Sequence, residues 1–199
     1  MLEHRIKVVK NPYPHTIPND TFVSMLLDIC GSRAADIERR YLNKEYKRDS
    51  MGFVLLDPTA PNSTRSENAV VAYFSIGSEG DSFLVNAIAK AFEHRDHCAS
   101  AGSLLFSQTH RLADGDFRWG HSAYVEGTIV GASAQTPEQD RYQAQLLAVE
   151  VNYGVGSIRG LWTELHTGGD WFCNDNAPGE RYANALAGVA DQPWIPATT

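Results

Sequence analysis

The sequence predicts a single α/β domain built on antiparallel strand pairs, and three observations predict it. Residues 52–56 and 69–74 are short apolar runs rich in β-branched or aromatic side chains, separated by the loop-forming stretch Asp57-Pro58-Thr59-Ala60-Pro61-Asn62-Ser63. A second strand pair is marked by the turn Glu126-Gly127 between residues 122–125 and 128–133, where glycine supplies the positive φ of a tight hairpin. Apolar residues at helical spacing flank both pairs. The 199 residues, 43% hydrophobic and 21% charged, suit one sizeable core with appendages.

Residues 1–19 carry Pro12, Pro14 and Pro18 and read as an extended N-terminal arm. Asn19-Asp20-Thr21 is an N-cap cluster ahead of Phe22, Met25, Leu26 and Ile29, with Gly31 placed to end that helix. A second helix is expected from Arg33 to about Lys47, burying Ala34, Ile37 and Tyr41. After the first strand pair, Gly80-Asp81-Ser82 opens a helix that runs to about His94, with Leu84, Ile88 and Ala91 on one face. Residues 103–107 suit a short strand. Thr136-Pro137-Glu138-Gln139 is a capping box, with Thr at the N-cap, Pro at the first helical position and Gln at N3. The helix behind it presents Tyr142, Leu146 and Val149 and reaches at least Val151. Domain limits are therefore set at 20–153. Residues 154–199 are an aromatic C-terminal extension, with Trp162, Trp171, Phe172 and Trp194, expected to pack on the domain or on a neighbouring subunit.

Composition also excludes partners. A net charge of −7 disfavours a nucleic-acid groove and an anionic membrane surface. Cys30, Cys98 and Cys173 are odd in number and widely spaced, which suits reduced thiols in a cytoplasm better than a disulfide framework or a zinc knuckle. The N-terminus lacks the apolar stretch of a signal peptide, and no window is apolar enough to span a bilayer. A cytoplasmic protein without membrane or nucleic-acid partners is expected.

Two stretches resemble the HbpS/GlcG-like haem-degrading domain family. Val85-Asn86-Ala87-Ile88-Ala89-Lys90-Ala91 is similar to that family's A-x-x-K-A helix, and residues 125–140 are similar to its V-D-G hairpin followed by T-P-E-Q-D. The resemblance implies a three-layer α-β-α sandwich around an antiparallel sheet, profilin- or roadblock-like, assembled as a homo-oligomer. It also implies a family in which some members bind haem or a related tetrapyrrole as cofactor and many have no settled activity. Where the family carries Gly-Gly-x-Pro before the hairpin, this chain has Arg118-Trp119-Gly120-His121-Ser122-Ala123, so the pocket rim differs.

Candidate site residues follow. His121 stands where the family has glycine and can ligate iron or act as an acid/base near neutrality. The resemblance makes Lys90 a cation for a ligand carboxylate or propionate. Tyr73, Arg118, Trp119 and Tyr124 complete the expected pocket, with Lys90 or Arg118 holding an anionic group. His94 and His97, beside Cys98, have metal-ligand spacing, but their place at a helix end reads better as capping. Glu126 and Asp140 read as a turn residue and a first-turn acid, and the likeness adds a possible place for Asp140 at a subunit interface. The glycines at 154, 156 and 160 lack the strand–turn–helix context of a dinucleotide loop, and no complete catalytic signature is present.

Three functions are compatible with these features. The first is a protein that binds a flat hydrophobic small molecule such as haem. The second is an enzyme on the same scaffold that acts on a small aromatic or carbonyl metabolite, with His121 as acid/base. The third is a ligand-free assembly protein.

Overall fold

The computed structural model describes residues 2–96 and 121–165. In chain order these form β1 (His4–Val8), α1 (Asn19–Leu42), β2 (Met51–Leu56), β3 (Val70–Ile76), α2 (Leu84–Asp96), β4 (Ala123–Val125), β5 (Thr128–Ser133) and α3 (Pro137–Leu165). Single 3-10 turns, Ser66–Ala69 and Gly80–Phe83, lead into β3 and α2. The strands form one antiparallel sheet in the order β1-β3-β2-β5-β4.

Alternation along the strands gives the sheet two unlike faces. Met51, Phe53, Leu55, Phe74, Ile76, Val130 and Ala132 point into a large core shared with Phe22, Leu26 and Ile37 of α1 and Leu147 and Val151 of α3. On the other face, among the described residues, Val54, Leu56 and Val70 cluster with Ala87 and Ala91 of α2, with half-buried Tyr73, Ile88, Phe92 and Ile129 around them. The fold is thus an α+β sandwich of helices on both sides of an antiparallel sheet, as expected.

Two glycines decide where α2 lies. A Cβ on Gly131 of β5 would stand 2.0 Å from the Ala87 carbonyl oxygen. One on Gly52 of β2 would stand 2.8 Å from the Gly80 carbonyl and 2.9 Å from the Leu84 nitrogen. The helix therefore rests directly on the backbones of β2 and β5, at the middle of the sheet.

Several expectations need correction. The N-terminal arm is extended, but residues 4–8 of it are β1, an edge strand paired with β3. Residues 19–42 form one helix, and Gly31 does not end it. Phe22, Leu26, Ile29, Cys30, Ala34 and Ile37 continue a single buried stripe through the glycine. Glycine inside a helix costs about 1 kcal/mol, whereas each large apolar side chain buried contributes about 1.5–3 kcal/mol. The helix stops instead at Lys44, which takes the left-handed conformation (φ 62°) while its N–H donates to Tyr41 O. Tyr41 is not on the buried side. The N-cap position is Pro18, without a side-chain cap.

The last helix also departs in detail. Thr136 and Gln139 exchange the two hydrogen bonds of the expected capping box, at 3.2 and 3.3 Å. Its buried stripe is Asp140, Gln143, Ala144, Leu147, Ala148, Val151 and Val155, whereas Tyr142 and Val149 are exposed. The helix continues past Gly154 to Leu165, so that glycine is no boundary. A Cβ there would stand 2.7 Å from Met25 Sδ, so glycine admits the close crossing of α1 and α3. The expected strand at 103–107 and the aromatic extension beyond 165 lie outside the described residues. Among the described residues no helix is long and apolar enough to cross a membrane.

Candidate functional site

Because α2 rests on the middle strands, the described residues leave a cleft on either side of it. On the β5–β4 side the end of α2, the β4–β5 hairpin and the loop 57–65 enclose a cleft of about 480 Å³. Leu56, Pro58 and Ile129 form its apolar wall, with His94, Arg95 and Tyr124 beside them. The hairpin is the predicted one: Glu126 (φ 47°) and Gly127 (φ 91°) both take positive φ, as a type I′ turn requires.

His94 is the chemically distinctive group. It is 6% exposed, its Nδ1 lies 2.6 Å from Ser122 Oγ, and its ring stacks on that of Tyr124 at 5.9 Å. Burial, assisted by the positive charge of Arg141, lowers its pKa from 6.5 to about 4. At neutral pH it is therefore a neutral imidazole held in one orientation. So weak a base does not suit proton abstraction near pH 7. Ser122 is 2% exposed, buried with the histidine ring that it holds. The arrangement suits donation of a lone pair or a hydrogen bond to a ligand.

The loop over the cleft is tied down by charge. The Arg95 guanidinium donates to Pro61 O (2.7 Å) and to Thr64 O, and Ser66 Oγ donates to Asp96. Asp57, which ends β2, pairs with Lys10 at 2.7 Å and accepts hydrogen bonds from Thr59 N and Oγ1. Burial alone would raise the Asp57 pKa, but Lys10 and Thr59 outweigh it and hold the carboxyl below its usual range.

The predicted site residues are not gathered in one place. Tyr124 lines this cleft. Tyr73 lies on the same face of the sheet but across α2, in a separate cleft with Ile88 and Leu84. Lys90 is 5% exposed and lines no described cleft; its Nζ donates to Asp140 Oδ2 (2.7 Å) and Ala132 O (3.0 Å). The two stretches that carry the family likeness therefore meet in one buried ion pair. Burial pushes the Asp140 carboxyl up while Lys90 and the backbone N–H groups of Gln135 and Ala134 pull it back. Removing one partner of such a pair typically costs about 3–5 kcal/mol, because the other charge stays buried. Asp140 is itself 3% exposed, so it closes the domain rather than presenting itself to a subunit interface. His121 is half-buried and takes φ 74°, a glycine-like conformation at the position where the family has glycine. Arg118, Trp119, His97 and Cys98 lie outside the described residues.

Compared with known proteins, the chain matches no family model, no curated protein and no solved structure. Among the described residues no three His, Cys, Asp or Glu side chains are grouped to hold a metal ion.

The place of His94 in the site was not anticipated: its ring packs inward, with Nδ1 on Ser122 Oγ. The signal was periodicity. Ala87, Ala91 and His94 stand at i, i+4 and i+7, one helical stripe, with Lys90 beside it. Asp140 heads the corresponding stripe of α3 with Ala144 and Leu147.

Proposed function

We propose that this protein binds a small, flat, largely apolar ligand in the cleft between α2, the β4–β5 hairpin and the loop 57–65. The observation that carries the reading is His94: a buried, neutral imidazole, oriented by Ser122 and stacked on an exposed tyrosine at the edge of a cleft. The volume lies within the range of small-molecule sites, roughly 300–1,000 Å³. Tyr124 offers a ring face and Ile129 and Leu56 an apolar wall, and His94, its Nδ1 held by Ser122, would use Nε2 toward a ligand.

Haem is the member of this class that the resemblance to the HbpS/GlcG-like family implies, and the residues fit it. An axial imidazole must be neutral, and its other nitrogen is usually held by a hydrogen bond; His94 meets both conditions. Arg95 places a positive charge at the same cleft for an anionic substituent. Bound haem would supply redox chemistry at its iron. The chain's part is to hold the ring between Tyr124 and the apolar wall and to shield it with the loop 57–65. Lys90 is assigned to Asp140 in this reading, and Tyr73 has no part in it.

The test is a haemin titration of the purified protein followed by absorbance, with His94→Ala and Tyr124→Ala in parallel. Saturable binding near one haem per chain is expected, with the Soret band shifted in His94→Ala and affinity reduced in the exposed Tyr124→Ala variant. Saturable binding unchanged by both substitutions would overturn the assignment to this cleft. Absence of saturable binding would overturn haem as the ligand.

The enzyme reading is favoured by one observation, the φ of 74° at His121. A non-glycine residue in that region costs of order 1–3 kcal/mol, and such strain gathers at functional sites. On that reading His121 is the acid/base for a small aromatic or carbonyl substrate. A pH–rate profile that loses its near-neutral limb in His121→Gln would distinguish it from a passive binder.

A further inference from the structure

On the other side of α2 the uncovered sheet forms a second cleft, about 440 Å³, with its own chemistry. Its floor is the Tyr73 ring with Leu84 and Ile88 of α2, and its rim is the edge strand β1. Register explains the composition. Lys7 is directly opposite Tyr73 and Arg5 directly opposite Ser75, so two cations, a phenol and a hydroxyl project from the same face of neighbouring strands. The alternate residues of β1, Ile6 and Val8, turn to the large core on the opposite face. Arg5 and Lys7 are both exposed. Arg5 pairs with Asp81, and both side chains are more than half exposed (61% and 57%). An ion pair so exposed is weak and screened by solvent, so an incoming anion can compete for the guanidinium.

We infer that this cleft is a binding site for a small aromatic carboxylate. The ring lies on Tyr73, Leu84 and Ile88, and the carboxylate meets Lys7 and Arg5. The site is independent of the His94 cleft, because α2, seated on Gly52 and Gly131, stands between them. Both parts of the ligand are needed. A simple inorganic anion leaves the apolar floor uncovered, and a neutral aromatic leaves Lys7 unused. In a chain of net charge −7, Lys7 and Arg5 outnumber the one carboxylate among the described residues of this cleft, Asp81, and so give local attraction against a repulsive background.

The experiment is a titration of the ¹⁵N-labelled protein with naphthoate, and with naphthamide as its uncharged counterpart, followed by amide chemical shifts. Saturable changes are expected at residues 4–8 and 70–76 with naphthoate and not with naphthamide. Lys7 is exposed in its edge strand, and Lys7→Gln is expected to weaken binding about three- to five-fold. The further substitution Arg5→Gln is expected to weaken it again, and raising the salt concentration to weaken it in the wild type. Equal shifts with naphthamide, shifts centred on residues 123–129 and His94, or a Kd unmoved by Lys7→Gln would each overturn the inference.

Discussion

His94 links the fold to pH, because the burial that holds its ring in place also penalises its protonation. Its pKa is depressed in the folded state from 6.5 to about 4. The unfolded chain therefore binds a proton first as pH falls. Stability linked to this group is present in full above about pH 6.5 and is lost progressively down to about pH 4. The magnitude is about 3 kcal/mol for a shift of this size. Asp140, pushed up by burial, contributes in the opposite direction in the acid range, and Asp57 and Asp36, held low by their partners, lose their contribution only at lower pH. The difference between wild type and His94→Gln isolates the histidine. Denaturant melts of both proteins between pH 7 and pH 4.5 are expected to converge as pH falls, with the variant nearly flat where the wild type slopes. Parallel curves would mean that His94 titrates normally. The residue scale is also where the sequence was least legible. Lys90 and His94 are polar residues on a short helix, and a charged side chain reads as solvated until its partner is known. Asp140 is 50 positions away, and only the folded chain brings it to Lys90.

Among elements, α2 is the one whose position determines the site. Neither its length nor its apolar pattern would seat it, since Ala87 and Ala91 are small and bury little area. What seats it is the absence of side chains beneath it at Gly52 and Gly131. Gly131→Ala would place a Cβ 2.0 Å from the Ala87 carbonyl, a backbone atom that cannot step aside without moving the helix. The expected loss is about 3 kcal/mol or more, at the upper end of overpacking penalties. Gly127→Ala in the hairpin turn is a useful contrast. It meets nothing closer than Pro58 Cβ at 3.6 Å and is strained only by its φ of 91°, for an expected loss of about 1 kcal/mol. Urea melts of the two variants test this, and a Gly131→Ala protein as stable as wild type would show that α2 can ride higher on the sheet. The hairpin and the capping box were legible because each is a local rule satisfied within a few residues. The union of residues 19–42 into one helix was not. Gly31 carries a stop signal, and only the shared core with β2, β3 and α3 outweighs it. The buried seam of α3 was missed for a related reason, since Tyr142 and Leu146 also lie at helical spacing and only packing selects between neighbouring stripes.

At the scale of the whole molecule, the layers that the described residues form on the two sides of the sheet are unequal, and the inequality bears on function. On the α1–α3 side, Phe22, Leu26, Phe53, Phe74, Met51 and Leu147 are fully buried together. A polar seam reinforces the helices: Arg33 donates to Glu150 at 2.7 Å, and Gln143 donates to Asp36 and to Tyr46. On the α2 side, among the described residues, the buried apolar partners from the helix are two alanines, with the Lys90–Asp140 ion pair and the Arg95 bonds to the loop. Both proposed clefts open on this thinner layer. Opening free energies scale with the apolar contact an element must give up. Native-state hydrogen exchange should therefore show α2 amides exchanging through a partial opening of lower free energy than those of α1 and α3, whose slowest amides report global unfolding. The layers can be separated by substitution. Phe74→Ala, in the thick layer, should lower the opening free energy of α1 and α3 by about 3–5 kcal/mol. Ile88→Ala, at the half-buried margin of α2, should lower that of α2 and leave the slowest α1 and α3 amides in place. If α2 exchanges only with global unfolding in the wild type, the thin layer is not an independent unit. Ligand entry to either cleft would then have to proceed without movement of the helix that divides them.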